Sequence, residues 1–236
     1  MPKMKGKRSR AAAPRPRTVV VAKAVLSMNE QLAALNRDLY RKHRLLALNV
    51  LSSPGSGKTT LLERTIADAR GRLRIGVVVG DLATENDAHR LRRHGAQVVQ
   101  ITTGTVCHLD SAMVARALQS LDLAALDVLV IENVGNLVCP ASYDLGEDLR
   151  VVLLATTEGE DKPLKYPPIF SGADVVVVNK TDLAEAAGFD RETALRNIRR
   201  TAPRAAILEL SAKTGAGVEA WIALLEKRLA AARKAR

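Results

Sequence analysis

Residues 52–60 read Ser52-Ser53-Pro54-Gly55-Ser56-Gly57-Lys58-Thr59-Thr60 and follow the apolar run 45–51 (LLALNVL). A strand, a glycine-bearing turn, a lysine and paired hydroxyl residues opening a helix make the pattern of a phosphate-binding loop, with Ser52 in place of its first glycine. Gly55 and Gly57 free the backbone to curl, so that Ser56 and its neighbours converge their N–H groups on phosphate oxygens. The helix N-terminus adds a favourable dipole. Lys58 is expected to reach the β- and γ-phosphates, the Thr59 hydroxyl to ligate Mg²⁺, and Thr60 to complete the loop.

Outward from this stretch, strand and helix signals alternate. Apolar runs occur at 75–79, 97–101, 127–131, 150–155, 174–178 and 205–210, most of them continuous in Val, Ile and Leu. Continuous runs fit strands covered on both faces, as in a parallel sheet between helices. Helices are predicted at 58–70, 86–94, 110–121, 190–200 and 217–234. Residues 26–43 have helical spacing of Leu26, Met28, Leu32, Leu35, Leu39 and Tyr40. The expected fold is a doubly wound, mostly parallel α/β domain with an N-terminal helix. Ligands in such folds lie outside the carboxyl ends of the strands, and each motif below falls at such an end.

The chain has 236 residues, 47% hydrophobic and only 3% aromatic, which suits one sizeable domain packed by aliphatic side chains. The formal charge is +11, and eight of those positives lie in residues 1–23, which contain no acid. The organisation read from this is a basic, disordered arm over 1–23 and one nucleotide-binding domain over 24–236. A near-neutral body disfavours nucleic acid as the partner. No apolar run approaches a membrane span and no signal-peptide core is visible, so a cytoplasmic location is expected.

Asn179-Lys180-Thr181-Asp182 ends the run at 174–178. The Asp182 carboxylate can accept from guanine N1–H and the 2-amino group, whereas adenine offers no donor at either place. Asn179 suits the base or the neighbouring loops, and the Lys180 stem can stack on the base. Ser211-Ala212-Lys213 follows the last apolar run and resembles the loop that offers a backbone N–H to guanine O6. In this order after the phosphate loop, the three segments point to GTP and GDP. Asp81, Asp87 and Glu132 are candidates to hold Mg²⁺ waters or to orient the attacking water. Which does which is open, and the lesser alternative for Asp87 is that it begins its helix as a cap. Gly135 is expected to let its loop move when the γ-phosphate is lost. Lys58, Asp81 and Glu132 are the candidate catalytic residues for hydrolysis.

Cys107-His108 and Cys139 sit in two loops that leave strand ends. Two thiolates and an imidazole suit Ni²⁺ or Zn²⁺, and two small buried thiols are the plain alternative. A GTP-dependent RNA-binding protein using the arm is a rival reading, but it leaves these three residues without a role.

SSPGSGKTTLL (52–62), GDLATENDAHR (80–90), CHLD (107–110), ENVGNLVCP (132–140), EGEDKPLKYP (158–167) and VVVNKTDL (176–183) together resemble the HypB family of GTPases, which assist nickel insertion into [NiFe]-hydrogenase. The resemblance covers about residues 30–225, and Ser52 agrees with it. It implies a SIMIBI-class P-loop fold, slow GTP hydrolysis and a homodimer when GTP is bound. It implies that Cys107, His108 and Cys139 bind metal at the dimer face, and that Lys162 lies near the nucleotide or the dimer contact. Expected partners are another maturation protein or the hydrogenase large subunit. The arm carries neither Cys nor His, so the tight N-terminal nickel site and the nickel store of some members are not expected. Some members add a further histidine a few residues after the CHLD segment; Ala112 and its neighbours offer none, which disfavours a two-metal site.

Overall fold

The computed structural model describes residues 17–81 and 85–234. Seven strands, β1 (Leu46–Ser52), β2 (Ile75–Asp81), β3 (Gln97–Thr102), β4 (Val128–Glu132), β5 (Leu149–Ala155), β6 (Val175–Asn179) and β7 (Ala206–Glu209), form one sheet in the order β3-β2-β4-β1-β5-β6-β7. Every pairing is parallel. Each strand falls within two residues of its predicted run, because unbroken β-branched runs have few alternatives to a strand covered on both faces.

The alternation of side chains sorts the apolar residues into layers. Leu46, Leu48 and Val50 of β1 face α2 (Lys58–Asp68) and α8 (Val218–Lys234), whose Leu62, Trp221 and Leu225 complete that core. Leu45, Ala47 and Leu129 face the opposite way, onto α1 (Arg17–Lys42) and α4 (Ser111–Leu118). Leu51, Val152 and Val176 meet Phe170 and Ile198 on the same side as α6 (Pro167–Ser171) and α7 (Arg191–Thr201). α3 (Asn86–Arg92) and the short α5 (Lys162–Lys165) are the remaining α-helices among the described residues.

Two boundaries depart from the sequence reading. α1 starts at Arg17 and takes in residues 17–23, assigned above to the disordered arm. The rest of that arm, and Leu82, Ala83 and Thr84, lie outside the described residues. The segment 162–171 is helical where no helix is predicted, because Pro163, Pro167 and Pro168 interrupt the periodicity that signals one. Proline is nonetheless well suited to a first helical turn, where its missing N–H has no helical acceptor.

α1 is tied to the body by buried polar contacts. Asn29 donates to Asp144 O at 2.8 Å and accepts from Ser111 N at 2.8 Å, and the buried Tyr40 hydroxyl donates to Leu145 O at 3.2 Å. Among the described residues, no helix is long and apolar enough to cross a membrane.

Candidate functional site

β1 lies between β4 and β5, and its carboxyl end opens a cavity of about 420 Å³. The phosphate loop, Gly80 and Asp81 from β2, Asp87 and Arg90 from α3, and Glu132 to Gly135 after β4 line it. Gly57 precedes α2 with φ 93°, and a Cβ there would come within 2.6 Å of Asn179 Nδ2. Glycine is therefore required both for the turn and for the approach of the Asn179 side chain. Gly135 lies against the loop as well: a Cβ there would meet Pro54 Cα at 3.0 Å.

Lys58 is buried, and its Nζ donates to Ser52 Oγ at 2.9 Å. Burial pulls its pKa down, while Glu132, Asp87, Glu158 and Asp81 oppose that shift. The serine that replaces the first glycine of the general pattern thus has a visible role, holding the lysine inside the loop. Thr59 Oγ1 donates to Glu132 Oε1 at 2.7 Å. Glu132 is 3% exposed, and burial pushes its carboxyl up to about 7. Its second oxygen, Oε2, is buried with no hydrogen-bond partner. An orphaned carboxylate oxygen beside a threonine hydroxyl, with Asp81 and Asp87 on the same wall, is a hard oxygen set that fits Mg²⁺ and its waters. Asp87 does not cap α3, because Glu85 occupies the cap position, and its carboxylate accepts from Arg90 Nη1 at 3.2 Å.

Asn179 gathers the segments predicted to read guanine. Its Nδ2 donates to Ser56 O at 2.8 Å, and its Oδ1 accepts from Ala212 N at 3.1 Å. One buried side chain therefore joins the phosphate loop, the strand end and the 211–213 loop. Lys180 adopts φ 61°, a left-handed conformation uncommon for a side chain with a Cβ. Its carbonyl accepts from Thr156 Oγ1 at 2.7 Å. Asp182 sits exposed on the turn Thr181–Leu183, Lys213 is exposed, and Ser211 is fully buried with its Oγ accepting from Thr214 N at 3.1 Å.

The ligand atoms of Cys107, His108 and Cys139 all lie within 4.8 Å of one another. The two Sγ atoms are 2.6 Å apart, and both thiols are free. The Cys107 thiol is pushed up, chiefly by its hydrogen bond to Cys139. The His108 ring stacks on Tyr143 at 3.9 Å between centroids, and burial lowers its pKa. Its Nδ1 is buried without a partner. A neutral imidazole nitrogen with no donor, beside two thiols, is a fitting donor set for a borderline-soft divalent ion.

The two halves of the site touch. Asn133, next to Glu132, accepts from Leu109 N at 3.2 Å and from Val134 N at 3.0 Å, and donates to the buried Asn49 at 3.2 Å. Asn136 donates to Cys107 O at 3.2 Å. Two asparagines after β4 therefore hold the loop that carries Cys107 and His108. Sequence reasoning missed them, along with Arg90, Tyr143 and Glu158, which accepts from Ser56 Oγ. Only the ENVGN string flagged the asparagines, since a polar residue directly after a buried strand has few plain explanations. Lys162 lies over the Tyr166 ring at 5.4 Å and is not among the residues lining the cavity.

Residues 46–209 match the model of the CobW/HypB/UreG nucleotide-binding domain. The hydrogenase maturation factor HypB of Rhizobium leguminosarum bv. viciae is 50% identical over 219 residues, 93% of this chain and 73% of that protein. The chain belongs to the HypB family. The crystal structure of HypB from Archaeoglobus fulgidus has a TM-score of 0.81 at 43% identity, covering 86% of this chain and 99% of that one. HypB from Helicobacter pylori, solved in complex with nickel, has a TM-score of 0.82 at 42% identity, covering 86% and 95%. The parallel sheet and P-loop expected from sequence are thus those of the HypB fold, and the central cavity belongs to a nucleotide-binding domain.

Proposed function

We propose that the chain is a GTP-hydrolysing metallochaperone that delivers nickel for [NiFe]-hydrogenase maturation, and that GTP-dependent dimerisation controls metal binding and transfer. The observation that carries this reading is the Cys107–His108–Cys139 cluster, mounted on loops that abut the loop after Glu132. The hydrogenase maturation factors at up to 50% identity and the nickel-bound relative support it.

Lys58 and the converging N–H groups of residues 55–60 bind the β- and γ-phosphates. Asp182 selects guanine, with Asn179, Lys180, Ser211, Ala212 and Lys213 shaping the base site. Bound Mg²⁺ supplies charge compensation for the triphosphate, and Thr59, Asp81, Asp87 and Glu132 are the residues to hold it and its waters. Lys58, Asp81 and Glu132 carry hydrolysis. Ni²⁺, or Zn²⁺ in its place, is the cargo of the three-residue cluster. Its ligands must be deprotonated, so metal binding weakens as pH falls below neutrality. The dimer forms on the thiol-bearing face when GTP is bound, with a hydrogenase maturation protein or the hydrogenase large subunit as the onward partner. The cytoplasm is the expected location.

The test pairs a nucleotide assay with a metal titration. GTP should be hydrolysed, and equimolar ATP should not compete. Replacing Cys107 and Cys139 together by Ser should abolish thiolate-to-Ni²⁺ charge-transfer absorption while leaving GTP binding within about twofold. A double variant that binds Ni²⁺ as tightly as the parent places the metal site elsewhere and overturns the delivery mechanism.

A further inference from the structure

Arg90 has no part in the reading above, yet it lines the cavity and makes four hydrogen bonds to three residues. Its Nε and Nη2 donate to the two Glu63 oxygens at 3.1 and 2.5 Å, Nη2 also to Thr60 Oγ1 at 3.2 Å, and Nη1 to Asp87 Oδ1 at 3.2 Å. Glu63 and Thr60 belong to α2, the helix that begins with Lys58. Asp87 belongs to the first turn of α3. The guanidinium fork therefore pins that turn to the helix carrying the phosphate loop, a geometry lysine cannot reproduce.

An isolated Arg–Asp pair three residues apart on a helix would contribute little. Here the same cation is clamped from the other side by Glu63, whose side chain is only 20% exposed. The clamp also bears on charge. Asp81, Asp87 and Glu132 put three carboxylates on the cavity wall, against Lys58 and Arg90. A triphosphate brings further negative charge to the Asp87 side, and an uncompensated carboxylate there is driven away.

We propose that Arg90 is a positioning residue that holds Asp87 at the γ-phosphate end of the cavity, using Glu63 and Thr60 as its anchor. This rests on the reading of the cavity as a GTP site, and it adds the element that distinguishes GTP from GDP. A diphosphate has nothing at that end, so the clamp bears on GTP binding and hydrolysis and not on GDP.

The experiment measures the affinity of fluorescent GDP and of a non-hydrolysable GTP analogue, with single-turnover hydrolysis, for the full chain and its variants. Arg90→Ala should lower the GTP-analogue affinity and the hydrolysis rate about tenfold each, the scale of a lost charged hydrogen bond, while GDP affinity stays within about twofold. Arg90→Lys keeps the charge without the fork and should fall between. Glu63→Gln should shift the same ratio in the same direction. Adding Arg90→Ala to Asp87→Asn should cost no more than Asp87→Asn alone, since one acts through the other. Equal losses for GDP and the GTP analogue would mean that Arg90 only supports the fold, and would overturn the inference. So would losses that multiply in the double variant. A parent chain that fails to bind GTP overturns the GTP reading itself, whereas an active parent with an equally active Arg90→Ala overturns this inference alone.

Discussion

The two ends of the parallel sheet treat buried charge in opposite ways. At the amino end, Asp127 precedes β4 and accepts from Arg74 N, Nε and Nη2 at 2.9, 3.0 and 3.0 Å and from Arg233 Nη2 at 2.6 Å. Arg74 holds its carboxyl far below the usual carboxylate range. Asp148 accepts from Ala47 N at 2.9 Å and Asp174 from Arg150 N at 2.8 Å, so carboxylates also fasten the starts of β1 and β5. At the carboxyl end, Glu132 has one bonded and one orphaned oxygen, and Lys58 sits buried against one hydroxyl. The buried Asp127 is fully partnered where it holds β4 in place, and the buried Glu132 is left incomplete where a ligand would supply the missing partner. Unsatisfied burial costs stability, so it persists where function repays it.

The sharpest way to break this comparison is Glu132→Gln. Glutamine can still accept from Thr59 but brings no charge to the metal side. Turnover should fall about 100-fold, as when one electrostatic contact in a reaction site is lost. The thermal midpoint of the nucleotide-free chain should hold or rise, because burial disfavours the ionised acid. The sign follows from the raised pKa: the folded chain binds this proton more tightly, so in the parent this group adds stability as pH falls from about 7 towards the ordinary glutamate value. The variant should lack that slope in urea melts at stepped pH. A large drop in midpoint would place Glu132 among the structural carboxylates.

Asp127→Asn is the converse. It should cost about 2 kcal/mol of folding stability at neutral pH, the scale of a lost charged hydrogen-bond set whose arginines can turn to water. GTP turnover should be unchanged at temperatures where the variant is folded. Because the folded pKa is depressed, this contribution is present above the ordinary aspartate value of about 3.9 and is lost as pH falls through the folded value. Urea denaturation at pH 7 and at about pH 2.5, below the ordinary aspartate value, should therefore show the parent–variant gap narrowing in acid. A constant gap would mean that the carboxylate charge is not what staples β4.

A smaller effect sharpens the comparison within the carboxyl end itself. Asn133 links the cavity to the thiol loop, so GTP and Ni²⁺ should change each other's affinity by one shared factor, about fivefold at the low end of such couplings. Asn133→Ala should bring that factor close to one while each ligand still binds alone. Metal titrations with and without a GTP analogue measure it. A variant that keeps the parent's factor would show that coupling runs by another route.

How much of this was legible beforehand depends on the range of the interaction. The P-loop, the Asn179-Lys180-Thr181-Asp182 strand end and the seven strands were readable because each is a local pattern: a turn that needs glycine, a carboxylate at a fixed place, an unbroken apolar run. Helices 162–165 and 167–171 were not, because three prolines remove the spacing that signals a helix. Sequence also marked Cys107, His108 and Cys139 as a possible set, across 31 intervening residues between the cysteines, without placing them together.

The sequence by itself determined the α/β alternation, the phosphate loop and the chemical types at each strand end, since backbone preference and side-chain chemistry act over a few residues. Only the tertiary structure decided that β1 lies between β4 and β5, and that one Asn179 side chain joins three loops. It also decided that the thiols converge, that Arg90 clamps α3 to α2, and that Glu132 has no partner for its second oxygen. These depend on which strands become neighbours and on how much water is excluded between them, and neither is a property of any short stretch of chain.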